Sequence, residues 1–146
     1  MVTAPPRILR QFGALPFSFT GDGGIRVLLV TTRGRGNWII PKGWPIRDLS
    51  DADTAAREAY EEAGVVGSVV GEAPVGSYRY EKRRTPRRVE TFEVSVFLLE
   101  VERQLRKWPE KSERETRWFA PEEASTLVTP AGLAEIVRTA TSRMLA

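Results

Sequence analysis

The chain has 146 residues, 22 of them Lys or Arg and 19 Asp or Glu, for a formal net charge of +3; it has 41% hydrophobic residues and neither Cys nor His. Without Cys there is no disulfide framework, thiolate zinc site or cysteine nucleophile, and without His no Ser-His-Asp triad or His-ligated metal. Any acid-base or metal chemistry then falls to carboxylates, Lys, Tyr and backbone groups, which suit hard cations such as Mg²⁺, Mn²⁺ or Ca²⁺. The length fits a single domain, 1–146, able to bury about two-thirds of the surface of its unfolded chain.

Residues 1–10 carry no apolar core of a secretory signal and are expected to form a flexible N-terminal tail. No run approaches the roughly 20 apolar residues that cross a bilayer, so the expected compartment is the cytoplasm, with no membrane partner. Gln11 to Thr20 and Ile25 to Thr32 are apolar runs divided by Gly21-Asp22-Gly23-Gly24, which predicts a strand, a tight turn and a second strand buried on both faces. After the turn Gly34-Arg35-Gly36-Asn37 comes a short extended piece, Trp38-Ile39-Ile40, stopped by Pro41. Ser50 to Ala63 is the best helix of the sequence. Ser50 with Asp53 resembles a capping box, Gly64 sits at the C-terminal cap position, and Ala52, Ala55, Ala56, Ala59 and Ala63 form a small-residue stripe that lets the helix lie close to a sheet.

Three further strands are expected at Val65 to Val70, Val75 to Lys82 and Val89 to Glu102, with Arg83-Arg84-Thr85-Pro86-Arg87-Arg88 as a basic hairpin loop. From Arg79 to Arg88 six basic residues face only Glu81, a local charge of +5. Thr116 to Phe119 reads as a last short strand and Pro121 as a helix start. Leu133, Ile136, Val137, Ala140, Met144 and Leu145 mark an amphipathic C-terminal helix. The sum is an α/β (α+β) domain, a mixed β-sheet with helices.

In Arg57-Glu58-Ala59-Tyr60-Glu61-Glu62-Ala63-Gly64, Glu58 stands three and four residues from Glu61 and Glu62, so the three carboxylates crowd one side of a helix and repel one another by a few tenths of a kcal/mol per pair. Arg57 can offset part of this at i, i+4 to Glu61. Together with Gly43 and Val65, these residues match in identity and spacing the signature G-x5-E-x7-R-E-U-x-E-E-x-G-U, where U is a bulky aliphatic, and the segment closely resembles that of the Nudix hydrolases. Leu49 departs from the pattern by standing where the family has its first Glu, and Ala59 is smaller than the usual aliphatic.

The resemblance implies an α/β/α sandwich and hydrolysis of a diphosphate linkage assisted by Mg²⁺ or Mn²⁺. Glu58 and Glu62 would be direct metal ligands, Glu61 a third ligand or water activator, and Arg57 the residue that orients Glu61. Lys42, beside Gly43, would neutralise charge on the phosphates. A base outside the helix would come from Glu90, Glu93, Glu113 or Glu115. Trp38-Ile39-Ile40-Pro41-Lys42-Gly43, Trp108-Pro109-Glu110, Arg117-Trp118-Phe119 and Glu122-Glu123-Ala124 extend the likeness over most of residues 12 to 140. They look like the diphosphoinositol polyphosphate and diadenosine polyphosphate hydrolase branch. A highly phosphorylated small molecule would suit Arg83, Arg84, Arg87 and Arg88, and Trp38, Tyr78 or Tyr80 would be the rings to stack a nucleobase. The alternatives are an RNA 5′-pyrophosphohydrolase, with the basic loop as polynucleotide path, and a binding module that lost turnover at Leu49. The expected state is monomer or homodimer.

Overall fold

A computed structural model describes residues 7–34 and 36–145. Eleven elements follow in chain order: β1 (Ile8–Phe19), β2 (Ile25–Thr31), β3 (Trp38–Ile39), β4 (Lys42–Gly43), α1 (Asp51–Ala63), β5 (Val65–Val70), β6 (Gly76–Thr85), β7 (Arg88–Gln104), β8 (Thr116–Phe119), α2 (Pro121–Leu127) and α3 (Ala131–Leu145). Strand β1 starts at Ile8, so Ile8, Leu9 and Arg10 of the expected tail are sheet, held by parallel pairing to Thr91, Phe92 and Glu93. Residues 1–6, and Arg35 of the second turn, lie outside the described residues.

The eight strands form one mixed sheet. Two long strands make its spine, β1 and β7 running parallel over ten residue pairs. The far edge of β7 is shared by β5, along Leu98 to Gln104, and β6, along Arg88 to Val96. On the other side β1 pairs with β2 only at Phe17–Phe19. Where the two strands diverge, β3 pairs with Val30–Thr31 of β2 and β4 with Phe12–Gly13 of β1. The segment Trp38–Gly43 is thereby wedged into the sheet, and this places Lys42 and Gly43 beside the helix that follows.

Alternation along the central strands supplies two cores. Phe12 and Ala14 of β1, Leu28 and Val30 of β2, and Phe97 and Leu99 of β7 face α1 and its Ala55, Ala59 and Ala63. Their neighbours Leu15 and Phe17, Val27 and Leu29, and Val96 and Leu98 face the opposite way, against Leu133, Ile136, Val137 and Ala140 of α3. The sandwich is α/β/α, as expected, with β1, β2 and β7 buried on both faces. The alanine stripe matters because each of Ala55, Ala59 and Ala63 is fully covered, and a larger side chain there would lift the helix off the sheet.

One expectation is overturned. Arg83 to Arg88 is no loop: β6 and β7 stay paired out to Thr85 and Arg88, leaving only Pro86-Arg87 as the turn, with a register shift between Arg83 and Thr85. This ribbon is exposed on both faces, so no apolar alternation is demanded of it and charged side chains are no obstacle to pairing.

Helix α1 begins as its capping residues require. Ser50 Oγ accepts from the Asp53 amide at 3.1 Å, and Gly64 adopts the left-handed conformation at φ 70°, its amide donating to the Tyr60 carbonyl. Further carbonyls at this end are met by the chain leaving β7: Gln104 Nε2 donates to Ala63 O, the Leu105 amide to Gly64 O, and the Glu110 amide to Glu61 O. Trp108 lies flat against Gly64, where an added Cβ would stand 2.2 Å from the indole ring. Gly64→Ala combines a left-handed backbone with overpacking, together about 2–4 kcal/mol. Its thermal unfolding midpoint is expected to drop by on the order of 10 °C, and an unchanged midpoint would show that Trp108 does not seat on this glycine.

Candidate functional site

The three glutamates of α1 do not share one environment. Glu62 is buried, 3% exposed, while Glu58 lies partly covered on the preceding turn. Their carboxylates are within hydrogen-bonding reach of each other. Two carboxyl groups make that contact only when one keeps a proton or a cation stands between them. Burial, with Glu58 beside it, accordingly pushes the Glu62 carboxyl up to about 9 against the opposing pull of Arg114, and burial likewise raises Glu58.

Gly43 makes the approach possible. A Cβ on this residue would stand 2.4 Å from the Glu58 carboxyl carbon, so the strand offers the carboxylate a cradle that any side chain would fill. Antiparallel pairing to Phe12 fixes the glycine there.

Glu61 is set apart. Its Oε1 accepts from Arg57 Nε at 3.0 Å, and the guanidinium carbon lies 5.5 Å from the Tyr60 ring centroid. Among the described residues no three acidic side chains are gathered as a ligand set; Glu58 and Glu62 come together, and Glu61 is held by Arg57. Leu49 lines a shallow, mainly apolar hollow with Arg57 and Tyr60 and is 40% exposed. The residue that departs from the signature therefore neighbours Arg57 at this hollow and adds no charge to it.

The counter-charge to Glu62 comes from outside the signature. Arg114 Nε stands 3.8 Å from Glu62 Oε1 and donates to Glu110 Oε1 at 2.9 Å, while its Nη1 donates to the Thr31 carbonyl at 3.1 Å. Glu110 also accepts from Arg33 Nη2 at 2.8 Å. Burial raises the Glu110 carboxyl, but the two arginines outweigh it and hold the group below the ordinary carboxylate range. Glu110 and Arg114 are the site residues that sequence reasoning missed. Their i, i+4 spacing was the available signal, but nothing local ties them to a helix some fifty residues earlier.

Each of the four candidate bases is already paired. Glu90 pairs with Arg84 and Arg88, Glu93 with Arg79 and Arg10, Glu113 with Arg33 and Glu115 with Arg117. The basic ribbon is correspondingly committed: Arg84 and Arg88 to Glu90, and Arg83 Nη1 to the Pro86 carbonyl at 2.9 Å. Arg83 does reach a cleft of about 630 Å³ whose lining includes Arg33, Asn37, Lys42, Tyr80 and Lys82. Of the rings considered for stacking, Tyr78 is buried in the core, Trp38 meets Phe119 edge-on at 5.1 Å, and Tyr80 lies stacked on Phe92 at 4.9 Å. Lys42 is half-buried, and burial lowers its ammonium against the raising fields of Glu62 and Glu58.

The match to known proteins agrees with this geometry. The NUDIX domain model aligns with residues 9–140. The chain belongs to the Nudix hydrolase family. It is 34% identical over 106 residues to the mitochondrial Nudix hydrolase 12 of Arabidopsis thaliana, covering 70% of this chain and 52% of the relative. With the mitochondrial Nudix hydrolase 13 of the same plant it shares 32% over 128 residues, 84% and 63% of the two chains. The protein thus spans roughly half to two-thirds of these relatives. Among solved structures, the C. elegans Ap4A hydrolase superposes with a TM-score of 0.67 at 17% identity, covering 96% of this chain and 100% of that one. The MutT protein of Methanosarcina mazei gives 0.69 at 19%, covering 97% and 98%. These two likenesses establish the fold.

Two neighbouring carboxylates beside a glycine, in a chain without His or Cys, form a donor set that fits a hard divalent cation. Glu58 and Glu62 would be the residues to hold it. Gly43→Ala tests the cradle, because the added methyl meets only the mobile end of Glu58. Mn²⁺ affinity is expected to fall at least about ten-fold while the thermal midpoint without metal stays within a few degrees. Retained affinity would mean that Glu58 does not bind from this position.

Proposed function

We propose that this Nudix protein hydrolyses a diphosphate linkage in a small, highly phosphorylated substrate, a diphosphoinositol polyphosphate or a dinucleoside polyphosphate, with Mg²⁺ or Mn²⁺ as cofactor. The observation that carries this reading is the Glu58–Glu62 pair, forced together under Gly43 with the Lys42 ammonium close by. When bound, the cation supplies polarisation of the diphosphate and a lowered pKa for an attacking water.

The chain's own residues have separable tasks. Glu58 and Glu62 would hold the cation through their carboxylate oxygens. Arg114 steadies the buried Glu62 without neutralising it, since its closest hydrogen bonds go to Glu110 and the Thr31 carbonyl. Arg57 engages Glu61 Oε1, leaving Oε2 to accept the proton of the attacking water. Lys42 meets a phosphate oxygen at the cleft, and Arg33, Lys82 and Arg83 extend positive charge along its wall. Charge of that kind recognises phosphate oxygens whatever they are attached to.

The RNA reading draws on the β6–β7 ribbon. With Arg84 and Arg88 paired to Glu90 and Arg83 folded onto Pro86, the ribbon offers less free charge than its composition suggested, which favours a compact substrate. The module without turnover draws on Leu49, yet Leu49 belongs to the hollow beside Tyr60 and leaves the Glu58–Glu62 apposition as it is. A cytoplasmic setting rests on the sequence alone. No helix among the described residues is long and apolar enough to cross a membrane, and the plant relatives bear mitochondrial and chloroplastic names.

The test is a panel of diphosphoinositol polyphosphates, dinucleoside polyphosphates and 5′-triphosphorylated RNA with Mg²⁺ or Mn²⁺, comparing wild type with Glu62→Gln. The variant is expected to lose on the order of 100-fold or more in kcat. Its metal-free thermal midpoint should be equal or higher, because an amide is neutral without having to take up the proton that burial imposes on the Glu62 carboxyl. Equal turnover by both proteins would refute the assigned centre.

A further inference from the structure

Lys42 keeps unusual company for an ammonium. Glu62 and Glu58 are near enough for their charges to act on it, and a flexible, compact cation beside two carboxylates ordinarily swings onto one of them. Among the described residues Lys42 makes no ion pair. Its Nζ instead donates to the neutral Tyr80 hydroxyl at 3.1 Å and lies 4.8 Å from the centroid of that ring.

Tyr80 is itself fixed at two points. Its hydroxyl donates to Gln11 Oε1 at 2.7 Å, so the oxygen presents a lone pair to Lys42 and has no proton left to compete. One ring face is stacked on Phe92, 4.9 Å between centroids and 7° from parallel. Gln11 is buried in β1 at 7% exposure and Phe92 in β7 at 2%, so both anchors stand on the spine of the sheet. Lys42 and Tyr80 line the same cleft.

We propose that Tyr80, anchored by Gln11 and Phe92, is a positioning residue that holds the Lys42 ammonium away from the Glu58–Glu62 pair and presents it to a phosphate of the substrate in the cleft. The inference rests on the functional reading above and extends it to a residue outside the signature. Loss of the hydroxyl frees Lys42 to collapse onto the carboxylates. The phosphate then loses its cationic partner, while at saturating divalent cation the carboxylates stay occupied and the groups at the reacting bond keep their places. The signature of the role is a selective effect on substrate binding that depends on Lys42. A ring that merely filled space would show no such dependence.

Tyr80→Phe keeps the ring and its stack on Phe92. For the best diphosphate substrate of the panel, KM is expected to rise about ten-fold with kcat changed less than about two-fold. In a Lys42→Met background the same substitution should shift KM by less than about two-fold, because the group it positions is gone. Binding of inorganic tripolyphosphate in the absence of metal, measured by isothermal titration calorimetry, should weaken by a similar factor in Tyr80→Phe and again not in the Lys42→Met background. An unchanged KM and tripolyphosphate affinity, or an equal shift in both backgrounds, overturns the proposal. If wild type turns over none of the panel, the hydrolase reading fails and the tripolyphosphate titration decides on Tyr80 by itself.

Discussion

The structure turns on the forced proximity of two carboxyl groups in a place that water barely reaches. Glu62 has lost nearly all of its exposure, Glu58 is pressed against it from the preceding turn, and its ion-pair partner Arg114 stands 3.8 Å away and is hydrogen-bonded elsewhere. Burying an acid without full pairing costs stability. The surrounding elements are arranged to sustain that cost: a helix capped at both ends, an alanine stripe fitted to the sheet, and a glycine where a side chain would part the pair.

The same logic separates the site into two charge regions. The acidic pair lies between α1 and β4, and the cationic cleft begins at Lys42 one residue before the glycine cradle. Opposite charges so close in sequence and space would neutralise each other if the side chains were free to meet. Arg57 engages Glu61, Arg33 and Arg114 engage Glu110, and Tyr80 engages Lys42. Each pairing gives a charged side chain its closest partner away from the Glu58–Glu62 contact, and those two carboxyl groups are left facing each other. With no carboxylate at Leu49, Arg57 has Glu61 and the Tyr60 ring for company.

Much of this was legible in the chain because it is local. Helix α1 announced itself through Ser50, Asp53 and Gly64, since caps act within one turn, and the register of Gly43, Arg57, Glu58, Glu61 and Glu62 pointed to diphosphate chemistry. The double-sided burial of β2 followed from its nearly all-apolar run, with Arg26 as the exception. What was not legible depends on partners distant in sequence. The two-residue β4 exists only because β1 and β2 diverge and leave open the edge of Phe12 and Gly13 that faces away from β7. Arg114 and Glu110 reach Glu62 through a connection anchored on the last turn of α1. The basic ribbon looked like a loop because charge there reads as solvation, whereas a strand exposed on both faces is as free as a loop to carry it. Tyr80 looked like a ring for stacking a base, and only the registers of β6, β7 and β1 bring Phe92 and Gln11 to it.

Central to the proposed function is a pair of carboxyl groups that would share a proton until a divalent cation replaces it. The most direct measurement is calorimetric titration of Mn²⁺ into the protein near pH 7 in two buffers of different ionisation enthalpy. With the Glu62 carboxyl pushed up to about 9, the metal-free pair keeps a proton at that pH, and the ionised form needed by the cation must give it up. The account predicts that binding releases protons into the buffer, with the release fading as the pH rises through that value and absent in Glu62→Gln. Mn²⁺ binding with no proton release, or no binding at all, would contradict it.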